Sequence, residues 1–360
     1  MRVVFVQKFV PHYRLPMFEQ LRDNLAEKDI EFVLLYGDPD AYEGSKVKTM
    51  EPSWGLKVNS HIFSVLGRYL YWQGANKHIQ KGDLVIVEHA AKLLDNYVIF
   101  AKRQLGGCKM AYFGHGKCFQ PKVELFVSRW VKKLMLRKVD RWFAYTEVSR
   151  QSLLEQDVND DIISVVNNTL VSPIPLESLE LKKVPDRFIY IGGMYKDKRI
   201  EVLLESAKLI KQRRPEFELH CVGDGPLRHL ITTDASKYDW IVDHGSLYGK
   251  ARNELLESAV GILMPGLVGL VIMDAFFFQC PIITSSSGDH SPEIAYLENE
   301  VNGLIENADA SAQAYTDTVL AYLQSPEKAL MMRKACLASA KRYSMENMEK
   351  NFREGILTTL

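Results

Sequence analysis

The chain has 360 residues, room for two domains of ordinary size, and 47% hydrophobic with 25% charged residues describes a globular chain able to bury two cores. Its 45 basic and 45 acidic side chains cancel, so no global charge argues for nucleic acid as a partner. Cys108, Cys118, Cys221, Cys280 and Cys336 are odd in number and scattered without a C-x-x-C pair, which favours a reducing compartment over a disulfide framework or a zinc site.

Arg2–Gln7 reads as a buried strand, with no small-residue cleavage site behind it, so no signal peptide is expected and the location is expected to be cytoplasmic. A helix follows at 15–28, with apolar residues at Leu15, Phe18, Leu21 and Leu25. Between strand and helix lies Phe9-Val-Pro-His-Tyr-Arg-Leu-Pro16. In an open α/β sheet ligands bind where a strand ends and its helix begins, so His12, Tyr13 and Arg14 are candidates for a cleft; a proline-fixed turn with solvated polar residues is the alternative. Strands are expected at 30–36 and 84–87, the latter putting Glu88 at its carboxyl end. Tyr69, Tyr71 and Trp72 read as core or interface packing rather than a platform for a ligand. The next strand, 109–113, runs into Gly114-His115-Gly116, where flanking glycines permit close backbone approach and leave the imidazole free to project. Over 123–142, Arg129, Lys132, Lys133, Arg137, Lys138 and Arg141 interleave with Phe126, Trp130, Leu134 and Met135. That pattern suits a helix on an anionic membrane surface, and equally a solvated charged face.

Strands at 141–145 and 162–166 close a first domain at 1–170, and the proline-rich stretch 171–186 reads as a linker. A second domain, 187–343, opens with a strand at 188–191, the loop Gly192–Lys198 and a helix to about Gln212. A strand at 217–222 then leads to Gly223-Asp224-Gly225-Pro226; a dinucleotide fingerprint is excluded because its third glycine position is Arg228. The stretch 259–278 has a single charge, yet Pro265, its glycines and Asp274 break it into short buried elements, so no membrane span is expected. A strand at 260–264, the turn Pro265–Gly269 and a helix at 270–278 would make an anion site, with the amides of Leu270 and Val271 pointing outward and Asp274 one turn along the same face. A nucleoside diphosphate fits that layout; an ordinary buried βαβ unit is the alternative. Amphipathic helices at 310–323 and 326–340 and a last helix at 345–357 complete the chain.

These motifs resemble those of retaining glycosyltransferases of the GT-B fold, family 4 type (glycosyl transferases group 1). In that family a Glu-x7-Glu motif around E-G-F-G-L is followed by E-A, G-x-P-V-I and P-E. Gly269-Leu270, Asp274-Ala275, Pro281-Ile282-Ile283 and Pro292-Glu293 fall in register, while the second Glu is Asp274 and the first is Gly266. The form Pro265–Leu270, His290 before the P-E, and the P-H-Y-R-x-P loop are similar to a subset of these enzymes. F-G-H-G resembles the motif whose His bonds the donor sugar. Lys198 matches a diphosphate-binding Lys, whereas Gly193 stands where the family has Arg, leaving Lys196 or Arg199 to replace it.

The resemblance implies two doubly wound Rossmann-like domains facing a central cleft, with a terminal helix, 344–360, crossing back to the first. It implies retaining, metal-independent hexosyl transfer from a nucleotide diphosphate sugar to a hydroxyl of a glycan or lipid-linked acceptor, in cell-surface polysaccharide synthesis, peripheral to the inner membrane face and with no cofactor. Implied roles are His115, Lys198 and Asp274 in catalysis. Gly193, Arg199, Gly266, Gly269, Leu270, Val271, His290 and Glu293 would contact the donor, and His12, Tyr13, Arg14 and Glu88 the acceptor side. The alternatives are a non-catalytic nucleotide-sugar-binding partner of another transferase and a sugar-nucleotide epimerase.

Overall fold

Runs of β-branched and aromatic residues form two all-parallel sheets in the computed structural model, which describes residues 1–40, 44, 48–65, 68–116, 133–176, 181–288 and 290–360. The chain divides into two units, one of Met1–Val171 with Met345–Leu360 and the other of Ser172–Ser344.

In the first unit seven strands lie in the order Ile163–Val165, Arg141–Ala144, Lys109–Gly114, Leu84–Glu88, Arg2–Gln7, Glu31–Tyr36 and Leu56–Lys57. The central strands are covered on both faces, which is why they read as continuous apolar runs: Val3 to Val6 are all buried. From Arg2–Gln7 the chain steps outward to Glu31–Tyr36, then returns to pair Leu84–Glu88 on the other side. The switch point therefore lies between the carboxyl ends at Gln7 and Glu88, where Gln7 Nε2 donates to Glu88 Oε2 at 3.4 Å.

The last helix, Met345–Thr359, belongs to this unit, as expected of a terminal helix that crosses back. Its Phe352 ring stacks on Phe143 at 4.7 Å and meets Phe113 edge-on at 5.0 Å. Its end is pinned by Arg141 Nε donating to Thr359 Oγ1 at 2.9 Å and Lys109 Nζ donating to the Thr359 carbonyl at 2.6 Å.

The aromatic stretch is an antiparallel hairpin, His61–Val65 with Arg68–Trp72, and because a ribbon of two strands buries one face at most, Tyr71 is core while Tyr69 is 59% exposed. The basic stretch is not one helix to Trp142. Residues 123–132 lie outside the described residues; beyond them Trp142 is fully buried and Arg141 is buried on a strand, its Nη1 donating to the Asp161 carbonyl. Lys133 and Arg137 both pair with Asp157, so their charges are already partly matched within the protein.

In the second unit six strands lie in the order Ile241–Asp243, Glu218–Val222, Arg187–Ile191, Gly261–Leu263, Ile282–Ser285 and Gly303–Glu306. Phe188, Tyr190, Ile262 and Ile283 are fully buried between the helix layers. Here the order reverses between Arg187–Ile191 and Gly261–Leu263, so the crevice at their carboxyl ends is the place for a ligand. The helix that follows is Val271–Phe277, seven residues and shorter than expected, because Leu270 serves as its N-cap and Gln279, at φ 49°, turns the chain left-handed just beyond it.

Candidate functional site

Loops at the carboxyl ends of Arg187–Ile191, Glu218–Val222 and Gly261–Leu263 pack so closely that glycine is obligatory. A Cβ on Gly223 would lie 2.0 Å from the Gly192 carbonyl oxygen, and one on Gly266 would lie 2.2 Å from the Asp197 carbonyl oxygen and 2.6 Å from the Lys198 carbonyl carbon. Gly266 is thus more than the absence of a carboxylate: the backbone of 197–198 occupies the space a side chain would need. Leu267 N donates back to the Asp197 carbonyl at 2.8 Å, tying the two loops together.

That tie positions Lys198. It closes the short helix Lys196–Lys198, and Arg199 behind it adopts the left-handed conformation at φ 56° before the helix Ile200–Arg213 begins. Lys198 Nζ donates to the Leu267 carbonyl at 2.6 Å, and burial, opposed only by the charge of Asp197, pushes its amine down to about 8. Arg199 is held by Ser285 Oγ at 3.2 Å, by Ser287 Oγ and by the Ala310 carbonyl at 2.6 Å. Neither cation forms an ion pair with a carboxylate among the described residues. Lys196 is exposed, and Gly193 offers its carbonyl to Tyr190 OH at 2.8 Å.

His290 clamps the turn from the other side. Its Nδ1 accepts from the Val268 amide at 3.1 Å, so Nε2 carries the proton and donates to the Ser285 carbonyl at 2.8 Å. The imidazole is therefore neutral and orients the loop that leads to Gly269, Leu270 and Val271. Glu293 is buried in the short helix Pro292–Tyr296. In the first turn of Val271–Phe277 the amides of Ile272 and Met273 donate to the carbonyls of Gly269 and Leu270 at 3.1 and 3.0 Å, and at seven residues the helix dipole is short, whereas Lys198 and Arg199 carry full positive charges.

Asp274 is buried and ion-paired with Arg252 of the helix Gly249–Ser258. Burial raises its carboxyl above the ordinary range, and the Arg252 guanidinium pulls in the opposite direction. Asp274→Ala leaves the half-buried Arg252 guanidinium without its partner, so the substitution is expected to cost about 1–3 kcal/mol of unfolding free energy by urea titration. Replacing both, Asp274→Leu with Arg252→Met, should recover most of that loss; a single Asp274→Ala chain as stable as the wild type would mean that the pair is not formed.

The remaining sequence-derived candidates lie in the first unit, at its own switch point. His115 follows the strand Lys109–Gly114, its ring 4.3 Å from that of Tyr145 at 63°, and burial together with the nearby charge of Arg14 pushes the imidazole down to about 4. It is neutral at pH 7 and suited to hydrogen bonding rather than to carrying charge. Arg14 is buried over the face of Phe113, and Glu88 ends its strand beside Gln7. His12 and Tyr13 form the turn Val10–Arg14 with Arg14; His12 is exposed, its Nδ1 3.3 Å from the Lys48 carbonyl. Arg252, Ser285, Ser287, Tyr145 and Gln7 had no signal in the sequence. Arg252 sits in a charged helix that reads as solvated, and the serines sit in a polar run that reads as a loop.

Residues 185–325 match the family described as Glycosyl transferases group 1. An uncharacterized glycosyltransferase of Methanocaldococcus jannaschii, MJ1069, is 26% identical over 166 residues, which span 41% of this chain and 42% of that protein, less than half the length of either. Among solved structures, Anabaena HepE (Alr3699) in complex with UDP superposes with a TM-score of 0.73 at 14% identity, covering all of both chains. The lipopolysaccharide outer core galactosyltransferase WaaB superposes at 0.66 with 15% identity, also over all of both chains. Likeness at that identity bears on fold, while the family match bears on the unit that holds Lys198 and Asp274. The chain thus has the GT-B fold, and residues 185–325 of its second unit match the group 1 glycosyltransferases.

Proposed function

We propose that this chain transfers a sugar from a nucleoside diphosphate sugar to a hydroxyl of a growing glycan or glycolipid, with retention at the anomeric carbon and no metal ion, in cell-surface polysaccharide synthesis. The observation that carries this reading is the pair of cations at the second switch point, Lys198 and Arg199, which have no carboxylate partner among the described residues. Such a pair favours a bound diphosphate and stabilises it further as it leaves, because charge grows on the leaving oxygens when the bond to the sugar breaks. Binding of UDP and of UDP-glucose by the structurally similar Anabaena HepE supports a uridine nucleotide as donor.

In this reading Lys198 takes the diphosphate, with the amides of Leu270 and Val271 beside it. Asp274, oriented by Arg252, holds the ribose; Glu293 lines the sugar pocket, while His290 fixes the loop. His115, neutral, hydrogen-bonds the sugar, and Tyr13, Arg14 and Glu88 serve the acceptor. The stretch 123–138 with its remaining basic residues is the part proposed to touch an anionic membrane, since Arg141 and Trp142 are buried.

Lys198 makes donor binding pH-dependent. Its amine titrates near 8, and the protonated form is the one that binds the diphosphate. Affinity for the nucleoside diphosphate should therefore change little between pH 7, where the terminal phosphate is ionised, and that value, and fall about tenfold per pH unit above it, as read by calorimetry in buffers matched for ionization heat. Affinity unchanged from pH 7 to 9.5 would remove Lys198 from the diphosphate.

A second reading, a nucleotide-sugar-binding protein without turnover, is favoured by Gly266, where the packing of 197–198 excludes the family's first Glu. Incubation with a panel of nucleotide sugars, with and without acceptor lipid extract, separates the readings. A transferase releases nucleoside diphosphate only when acceptor is present. A binder releases none, and an epimerase converts the donor without acceptor.

A further inference from the structure

Arg14 is a third cation, in the first unit, and it is 6% exposed. Its guanidinium lies 4.6 Å from the centroid of the Phe113 ring, 5.5 Å from that of Tyr145 and 5.7 Å from that of Tyr13. The charge of Glu88 acts on it, yet among the described residues no carboxylate is paired with it, and its Nη1 is buried without a hydrogen-bond partner. Gln7, 5% exposed, has the complementary defect: Nε2 donates to Glu88, while Oε1 is buried with nothing to accept from. Glu88 is common to both, accepting from Gln7 and acting by its charge on Arg14; a buried unfilled donor and a buried unfilled acceptor are costly, and native proteins fill such groups with protein, water or ligand.

The two stand where a ligand belongs. Gln7 and Glu88 end the strands on either side of the switch point, and His115 and Tyr145 follow the next two strands. Arg14 also opens the twelve-residue helix Leu15–Ala26, which has no side-chain cap and no acidic residue in its first turn. A guanidinium offers a planar fork of donors that matches two oxygens of one anion, and ring faces around it keep water from competing. The unfilled acceptor Oε1 of Gln7, whose Nε2 is bound to the same Glu88, calls for a hydroxyl.

We infer that the first unit holds a subsite for an acidic sugar acceptor, in which Arg14 receives a carboxylate or phosphate and Gln7 Oε1 receives a neighbouring hydroxyl. This rests on the transferase reading and adds to it the chemical class of the acceptor. The subsite is independent of Lys198, so the donor is not needed to fill it.

The test titrates the full chain, saturated with its preferred nucleoside diphosphate, with glucuronic acid, glucose 6-phosphate and glucose, followed by calorimetry or ligand-observed NMR. At least one acidic sugar should bind saturably and glucose should not, and whether the carboxylate or the phosphate binds names the source of the anion. Arg14→Gln should weaken that binding about tenfold or more while nucleoside diphosphate affinity stays at the wild-type value. Arg14→Lys keeps the charge and loses the fork, so it should show a smaller loss, and it serves as the variant if Arg14→Gln does not fold. The inference is overturned if acidic and neutral sugars bind alike or not at all, if the Arg14 variants bind acid as wild type does, or if they lose nucleoside diphosphate affinity, which would make Arg14 a donor residue. Failure of the transferase reading itself would appear separately, as wild-type protein that binds no nucleoside diphosphate.

Discussion

Lys198→Met is expected to weaken nucleoside diphosphate binding by about 10- to 100-fold, the loss of a charge-assisted hydrogen bond to phosphate. Turnover should fall further, by about 100-fold or more, because the same contact strengthens as the diphosphate leaves. The variant should nonetheless melt no lower than the wild type. Burial holds the Lys198 amine near 8, below its ordinary value, so the folded state disfavours the charge at neutral pH. Methionine keeps the stem's packing and removes that cost. Unimpaired or raised thermal stability with lost binding is the signature of a residue kept for function. A variant that melts well below the wild type, or that binds nucleotide normally, would make Lys198 a structural lysine for the Leu267 carbonyl.

Gly266→Glu restores the residue that the family motif carries at this position, and on motif grounds it should help. The packing predicts the reverse. Its Cβ would fall within 3.0 Å of the Asp197 carbonyl oxygen and of backbone atoms of Lys198, and backbone cannot swing aside as a side-chain tip can. The loops must part, carrying Lys198 off the crevice at a cost of about 1–3 kcal/mol or more in strain. Gly266→Ala should be nearly as harmful, since the clash begins at Cβ. Both should lower the melting temperature and abolish nucleotide binding under conditions where the wild type saturates. Full binding by Gly266→Ala would show that the 197–198 and 265–267 loops have the slack this account denies them.

The strands and their order of appearance were legible in the sequence because parallel strands covered on both faces, such as Arg2–Gln7 and Gly261–Leu263, are continuous apolar runs. Lys198 and Gly266 were visible as motif positions, but their relation was not, for the contact between 197–198 and 266 joins two loops nearly seventy residues apart. The same holds for Asp274 with Arg252 and for His290 with Val268 and Ser285, where local patterning shows a polar residue and only the fold supplies its partner. Arg14 is the sharpest case. In P-H-Y-R-x-P it reads as a solvated or cleft-facing residue, whereas it is enclosed by the rings of its neighbour Tyr13 and of Phe113 and Tyr145, the last two brought there from separate segments.

The crevice at the second switch point is proposed to bind a nucleoside diphosphate through Lys198 and Arg199. Calorimetric titration of the wild-type chain at pH 7 with UDP, GDP and ADP tests it most directly. One site per chain is expected, with a preference for one of the three and weaker binding of the corresponding monophosphate, which offers the two cations fewer oxygens. No saturable binding of any diphosphate, or equal affinity for monophosphate and diphosphate, would contradict it.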